Sequence, residues 1–509
     1  MPDAVGGDRS SLTDAIGIGT LTRLVPRELV DEVIASAGRK EIRRNKLPAR
    51  VMVYFVMAMA LFYGDAYEEV MRKLAEGLDY MGTWRGEWDA PSPGGLCHAR
   101  QRLGADVMRE LFERVAVPCA MRATKGAWLA GRRVMAVDGF GVEAPDSEEN
   151  AAYFGYAGKI GRSAFPFVRI AALAECGTHA VVAAAIGKDG EGEETLARRV
   201  LSGGAVEPGM LVLADSGLYS YENFRMVTGA GADALFRIGA NVGLPVLEWL
   251  PDGSYLSFIA DPDEKRRNSY RLRHGLARIT DLPGTYVRVV DYEVADRGGE
   301  EIITLVTNIT DPEDIPAAEL AAAYHERWEA ELVFDELKTH QRGAGTVLRS
   351  RKPELVEQEI WGLLLTHYGI RHLMREAADQ AELDPDRMSF IRALRIVRRQ
   401  VTGQAAFSPS AARGSSTGGD RGDPGKTQPG APRAHLPPRG EKNAAYCIPH
   451  ETPRSEEHPA RLPADDPPVS PGSLIKRHWA RALSKQMPVR PADCRIPSSL
   501  SSAANSAEV

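Results

Sequence analysis

Two short apolar runs end abruptly on aspartate: VMAV at 134–137 meets Asp138-Gly139, and LVLA at 211–214 meets Asp215. Four or five apolar residues bounded by turn residues read as a strand buried on both faces. Between and after them lie FPFVRIAALAE and HAVVAAAI, two strands around the turn Cys176-Gly177-Thr178. Helical stretches at Glu194–Leu201 and Tyr221–Val227 and a further strand, ALFRI, complete the series. Strand, hairpin, helix, strand, helix, strand makes a mixed α/β sheet. In such a sheet neighbouring strand ends bring their side chains to one edge, where sites form.

The flanks have other textures. PRELVDEVIASAG, the apolar run from Leu47 to Tyr63, Tyr67–Leu78 and LCHARQRLGADVMRELFERVA all have helical spacing, so an all-helical domain is expected over 17–125. The longest apolar run, Val51–Tyr63, is too short to cross a bilayer, so no membrane association is expected. A β-rich insertion is expected over about 241–312. Helices from Ala317 to Lys338, Pro353 to Ala377 and Phe390 to Arg399 then close a domain over 130–400. From about 408 to 509 periodicity is lost and about half of all prolines collect, so a disordered, low-complexity tail is expected. Five cysteines without a C-x-x-C pair, and no basic-then-apolar leader, point to the cytoplasm. The net charge of −6 confines any nucleic-acid contact to local basic patches.

A third carboxylate, Glu331, stands in AAYHERWEAELVFDELK. On a continuous helix Tyr324, Arg327, Glu331 and Lys338 share one face, with Trp328, Leu332 and Phe334 as its core contacts. Two aspartates and a glutamate make an all-oxygen set, which suits Mg²⁺ or Mn²⁺, and two such ions can run phosphodiester displacement. Arg327 and Lys338 would face phosphate. Spacing alone leaves the bland reading open: an aspartate after a strand also serves as a cap or turn, and a charged helix face is by default solvated.

The tract Tyr324-x2-Arg327-x3-Glu331-x6-Lys338 matches the Y-R-E-K signature of insertion-sequence-4 family DDE transposases, which the chain resembles from about Gly19 to Phe407. GTLTRLVPRELVDEVI and LCHARQRLG resemble the two ends of that family's N-terminal domain. DGFGVEAPDSEENAAYFG resembles its first catalytic tract, and GADALFRIGANVGLPVLEWLPDGSYLS the segment after its second aspartate. The resemblance implies a ribonuclease-H-like core with a β-rich insertion. It implies Asp138, Asp215 and Glu331 as catalytic residues holding two Mg²⁺ or Mn²⁺ ions, with Tyr324, Arg327 and Lys338 on transposon-end phosphates. It further implies cut-and-paste transposition: end cleavage at terminal inverted repeats, then transfer to target DNA, by a homodimer that pairs two ends. Hairpin-ended intermediates in relatives would need an aromatic to hold a flipped base; Trp249 is the candidate, although its expected place is the core of the insertion.

Three cation clusters could neutralise phosphates. They are Arg39, Lys40, Arg43, Arg44, Lys46 and Arg50; Lys265, Arg266, Arg267, Arg271, Arg273 and Arg278; and Lys338, Arg342, Arg349, Arg351 and Lys352. The change of texture near Ser408, where relatives continue with a basic structured segment, is what out-of-frame translation would produce. It leaves two alternatives: an inactive end-binding inhibitor of transposition, or a nuclease that cuts without joining.

Overall fold

The computed structural model describes residues 19–40, 47–79, 91–158, 163–239, 242–296 and 299–403. Arg43, Arg44 and the tail over 408–509 lie outside the described residues. Apolar residues at helical spacing build α1 (Gly19–Leu24), α2 (Arg27–Ser36), α3 (Ala49–Leu61), α4 (Tyr67–Asp79) and α5 (Pro93–Val115). α3 is apolar around its whole circumference and can only sit inside; every residue from Val51 to Leu61 is buried. Ser92 caps α5 by accepting from the Gly95 amide at 3.2 Å. The helix bends at Gly104, whose φ of 79° and ψ of 166° suit glycine alone.

The sheet begins with β1 (Trp128–Leu129) and β2 (Arg132–Glu143), followed by α6 (Glu148–Phe154), β3 (Phe167–Glu175) and β4 (Ala180–Ile186). Then come α7 (Glu193–Ser202), β5 (Met210–Ala214), α8 (Tyr221–Gly229) and β6 (Asp233–Ile238). β2, β3 and β4 form an antiparallel meander. β5 joins β2 in parallel, and β6 joins β5 in parallel. The order β4-β3-β2-β5-β6 is the ribonuclease-H-like arrangement of three antiparallel strands and two parallel ones.

The insertion supplies β7 (Glu248–Trp249), β8 (Tyr255–Ala260), the short helices α9 (Pro262–Arg267) and α10 (Ser269–Arg273), β9 (Gly284–Asp296) and β10 (Gly299–Thr307). It extends the same sheet, because β10 pairs antiparallel with the edge of β6, and the order runs on β10-β9-β8-β7. The tip of its hairpin, Tyr292–Ile302, belongs to a second compact unit. Arg288 of β9 is wholly buried, donating to the Ser254 hydroxyl and the Ile315 carbonyl, each at 2.8 Å, and to the Asp252 carboxylate. Asp252 also accepts from the Ala317 amide at 2.8 Å, so the same pair fixes where the next helix starts.

That helix is α11 (Ala317–His325), followed by α12 (Trp328–Asp335), a π-helical turn at Glu336–Gln341, α13 (Pro353–Gln380) and α14 (Phe390–Gly403). α7 and α8 cover one face of the sheet, packing Leu196, Val200, Phe224 and Val227 on Val137, Leu173, Val212 and Phe236. The other face, with Phe140, Val142, Ile170 and Ala172, shares one core with α12, α13 and the N-terminal helices. The helical segment is therefore part of the wall against one face of the sheet. α13 closes on α3 at Gly362, where a Cβ would fall 2.6 Å from the Val56 side chain.

The continuous helix expected from Ala317 to Lys338 is interrupted twice, between α11 and α12 and by the π turn. Within α12 itself Leu332 and Phe334 lie about 200° apart and cannot both face inward. Val333, Phe334 and Leu337 are buried, whereas Leu332, expected in the core, is 46% exposed.

The π turn opens on a buried charge cluster. Glu336 accepts from His367 Nε2 at 3.0 Å and from Arg371 through Nε at 2.8 Å and through Nη2. Burial pushes the Glu336 carboxyl up, but the Arg371 charge and the imidazoles of His179 and His367 outweigh it and hold it well below the usual range. A carboxylate so depressed stabilises the fold fully above its unfolded value of about 4.3, and the contribution is lost as pH falls through the folded value. Unfolding midpoints of wild type and Glu336→Gln, well separated at neutral pH, are therefore expected to converge below about pH 4. A gap constant with pH would contradict the ionised assignment.

Candidate active site

Register brings the two aspartates together. β2 and β5 run parallel with Val137 beside Ala214, so the next residues, Asp138 and Asp215, emerge side by side where β5 ends. The two-residue period of a strand decides the direction. Val137 and Ala214 face α7 and α8, so Asp138 and Asp215 face the opposite side, where Phe140 stacks on Phe334 of α12 with ring centroids 4.5 Å apart.

Arg327 sits at the break between α11 and α12 and is 6% exposed. It donates through Nη1 to Asp138 Oδ2 and through Nη2 to Glu331 Oε1, each at 3.1 Å. The Tyr324 hydroxyl donates to Asp215 Oδ1 at 3.3 Å. Asp138 Oδ1 accepts from the Gly139 amide at 2.7 Å. Burial pushes the Asp138 carboxyl up; the Gly139 amide and the Arg327 charge oppose this, and the charges of Glu331 and Asp215 add to it. Burial likewise pushes the Tyr324 phenol up, so it stays a neutral donor. For Arg327, burial alone would lower the pKa, but the surrounding phenol and carboxylates raise it, and the guanidinium stays cationic.

The geometry thus joins Asp138, Asp215, Tyr324, Arg327 and Glu331 in one cluster. A residue that sequence reasoning passed over belongs to it: Arg237 Nη1 lies 3.9 Å from Asp215 Oδ1. Its only signal is register, since Phe236 pairs with Ala214 and the following residues are neighbours. Lys338 stands apart, exposed on the π turn. Among the described residues no three His, Cys, Asp or Glu side chains close into a metal cage. Asp138 and Glu331 converge on the Arg327 guanidinium instead. The donor set nevertheless fits a hard cation: it is all oxygen, and the half-buried Asp138 carboxylate carries the repulsion of two like charges beside it.

Two family models match this chain. One is the insertion element 4 transposase N-terminal model, over residues 15–113; the other is the transposase DDE domain model, over residues 129–368. The chain belongs to the insertion-sequence-4 family of DDE transposases. The transposase InsG for insertion sequence element IS4 of Escherichia coli (strain K12) is 29% identical over 386 residues, which span 75% of this chain and 82% of that protein. A cryo-EM structure of a piggyBac transposase synaptic complex with hairpin DNA aligns over 79% of this chain and 83% of that one, with 10% identity and a TM-score of 0.42. Among the described residues of this transposase no helix is long and apolar enough to cross a membrane.

The basic clusters divide on inspection. Arg266 and Arg267 project from α9, 79% and 70% exposed, and among the described residues pair with Asp263 and Glu264 one helical turn away. Such exposed pairs are worth little and yield readily to a phosphate. Arg342 and Arg349, counted with the third cluster, are structural: Arg342 donates to the Thr346 carbonyl, and Arg349 to the carbonyls of Phe62, Tyr63 and Asp65. Arg39 and Arg50 of the first cluster pair with Asp106 and Asp31. Trp249, expected in the core of the insertion, is half exposed, edge-on to Tyr255 with ring centroids 5.0 Å apart.

Proposed function

We propose that this transposase moves its element by a cut-and-paste route, cleaving DNA at terminal inverted repeats and transferring the freed 3′-hydroxyls to target DNA. In this reading residues 17–125 engage the ends and residues 130–400 cut. The observation that carries it is the convergence of Asp138, Glu331 and Asp215 on a shared cluster where β5 ends and its parallel pairing with β2 stops. Asp138, Asp215 and Glu331 would hold two Mg²⁺ or Mn²⁺ ions, whose chemistry is to activate the attacking oxygen and stabilise the leaving one.

The chain's own residues do the rest. Arg327, buried between Asp138 and Glu331, holds both carboxylates in place before DNA arrives and offers its guanidinium to the scissile phosphate. Tyr324 orients Asp215 through its hydroxyl. Lys338 supplies a point charge to the end phosphates. Arg266, Arg267 and, on the sequence alone, Arg43 and Arg44 neutralise the backbone beyond the cut. Trp249 offers an exposed ring on which an extruded base can stack. A homodimer would pair the two ends.

The test is Mg²⁺-dependent cleavage of a DNA fragment carrying the element's own ends. Cut ends joined to target DNA support transposition; cutting without joining leaves a nuclease, and binding without cutting leaves an end-binding inhibitor. A separate expectation concerns α9. Each phosphate contact contributes about 0.9 to the slope of log affinity against log salt. Replacing Arg266 and Arg267 by Gln is therefore expected to flatten that slope by about 2, read from end binding across a salt series. An unchanged slope would remove α9 from the DNA path.

A further inference from the structure

The π turn Glu336–Gln341 directly follows the helix that carries Glu331. In an α-helix, residues five apart point about 140° away from each other and cannot face one neighbour. A π turn closes every five residues, so its two ends face the same side. Glu336 and Gln341 use that property: both are buried, and both are bonded to α13. Glu336 accepts from His367 and Arg371, and Gln341 Nε2 donates to the Leu363 carbonyl at 3.3 Å. Leu363, His367 and Arg371 are spaced four apart, a single row along α13. Leu337, between them, is wholly buried, and Lys338 is turned outward. One face of α13 therefore matches both ends of the irregular turn, and the turn sets the angle between Lys338 and Glu331 that a regular helix would have set differently.

We propose that Glu336 is a positioning residue of the transposase reaction: gripped by Arg371 and His367, it holds the π turn that presents Lys338 to the end phosphates at a fixed angle to Glu331. The inference rests on the reading of Lys338 as a phosphate contact. It explains why an ionised carboxylate is buried here at all. An apolar side chain would fill the space, whereas a two-pronged pair with Arg371 dictates both position and angle.

The experiment is single-turnover cleavage of end DNA by wild type, Glu336→Gln, Lys338→Ala and the double variant, with end affinity and thermal midpoint measured on each. Misplacing a reacting group by about 1 Å costs on the order of 100-fold, so Glu336→Gln is expected to slow cleavage by about 10- to 100-fold while end affinity holds. Because Glu336 acts through Lys338, the double variant is expected to be no slower than Lys338→Ala alone. A merely structural Glu336 would multiply with Lys338→Ala, and multiplied losses would overturn the inference while leaving Lys338 its role; the midpoint shift from losing the buried charge is common to both readings. A silent Lys338→Ala would overturn both. Should Glu336→Gln fail to fold, Arg371→Lys serves in its place, since it keeps the charge but loses the two-pronged grip. The same non-additivity with Lys338→Ala is then required.

Discussion

Glu331→Gln is expected to lose strand cleavage by on the order of 10³-fold or more, about 4 kcal/mol of transition-state stabilisation, while still binding element ends. The substitution keeps the shape of the side chain and its acceptor for Arg327, so the buried guanidinium retains a partner. What disappears is one of the three negative charges that, in the proposed mechanism, would surround the scissile phosphate. End binding survives because it depends on phosphate neutralisation by arginines and lysines elsewhere. The measurement is a pair of assays on one preparation: gel-shift affinity for the ends, and cleavage under single-turnover conditions. A variant that cuts within tenfold of wild type would take Glu331 out of the chemistry. A variant that neither binds nor cuts would make it a DNA contact rather than a catalytic group.

Arg100→Ala has the largest expected effect on stability. Arg100 is fully buried in α5, yet three of the four groups it donates to lie far along the chain. Its guanidinium donates to Gln358 Oε1 at 2.9 Å, to the Tyr67 hydroxyl at 2.6 Å, to the Ser350 hydroxyl at 3.1 Å and to the Leu355 carbonyl at 2.9 Å. Gln358 returns two bonds, to the carbonyls of Arg100 and Gly104. Removing the guanidinium leaves these acceptors dry inside the protein, and breaking a buried charged network in this way costs about 3–5 kcal/mol. Because the network joins the N-terminal helices to the start of α13, the loss should appear as one earlier unfolding transition of the whole chain. A shift in denaturation midpoint worth less than about 1 kcal/mol would show that the two segments are coupled by apolar packing alone.

Much of this was legible in the residues, for identifiable reasons. The strand that ends on Asp215 announces itself as a short apolar run followed by a turn, and the β3–β4 hairpin follows from the Cys176-Gly177-Thr178 turn; the strand expected to stop at Asp138 instead runs on to Glu143, because it stays paired with β3 along that length. That the two aspartates become neighbours depends on the pairing of Val137 with Ala214, a long-range register no local pattern encodes. The same register hid Arg237. Helical periodicity misled at Leu332, because Leu332 and Phe334 lie about 200° apart on an α-helix and the face that packs inward is the one with Val333, Phe334 and Leu337. Charge runs misled in a different way. Arg342 and Arg349 look like a DNA-facing patch on paper, but both are turned to carbonyls of their own chain, and Arg342 is buried. Trp249 erred in the opposite sense: a large apolar side chain suggests a core, and its place on a short edge strand leaves it exposed.

The most direct test of the central claim is anomalous scattering from Mn²⁺ in crystals of the transposase bound to its cleaved end. The account predicts Mn²⁺ ligated by Asp138, Asp215 and Glu331, with Arg327 turned from its carboxylate partners toward the phosphate. Mn²⁺ held by other side chains, or a DNA-bound site in which Arg327 still bridges Asp138 and Glu331 with no metal between them, would contradict it.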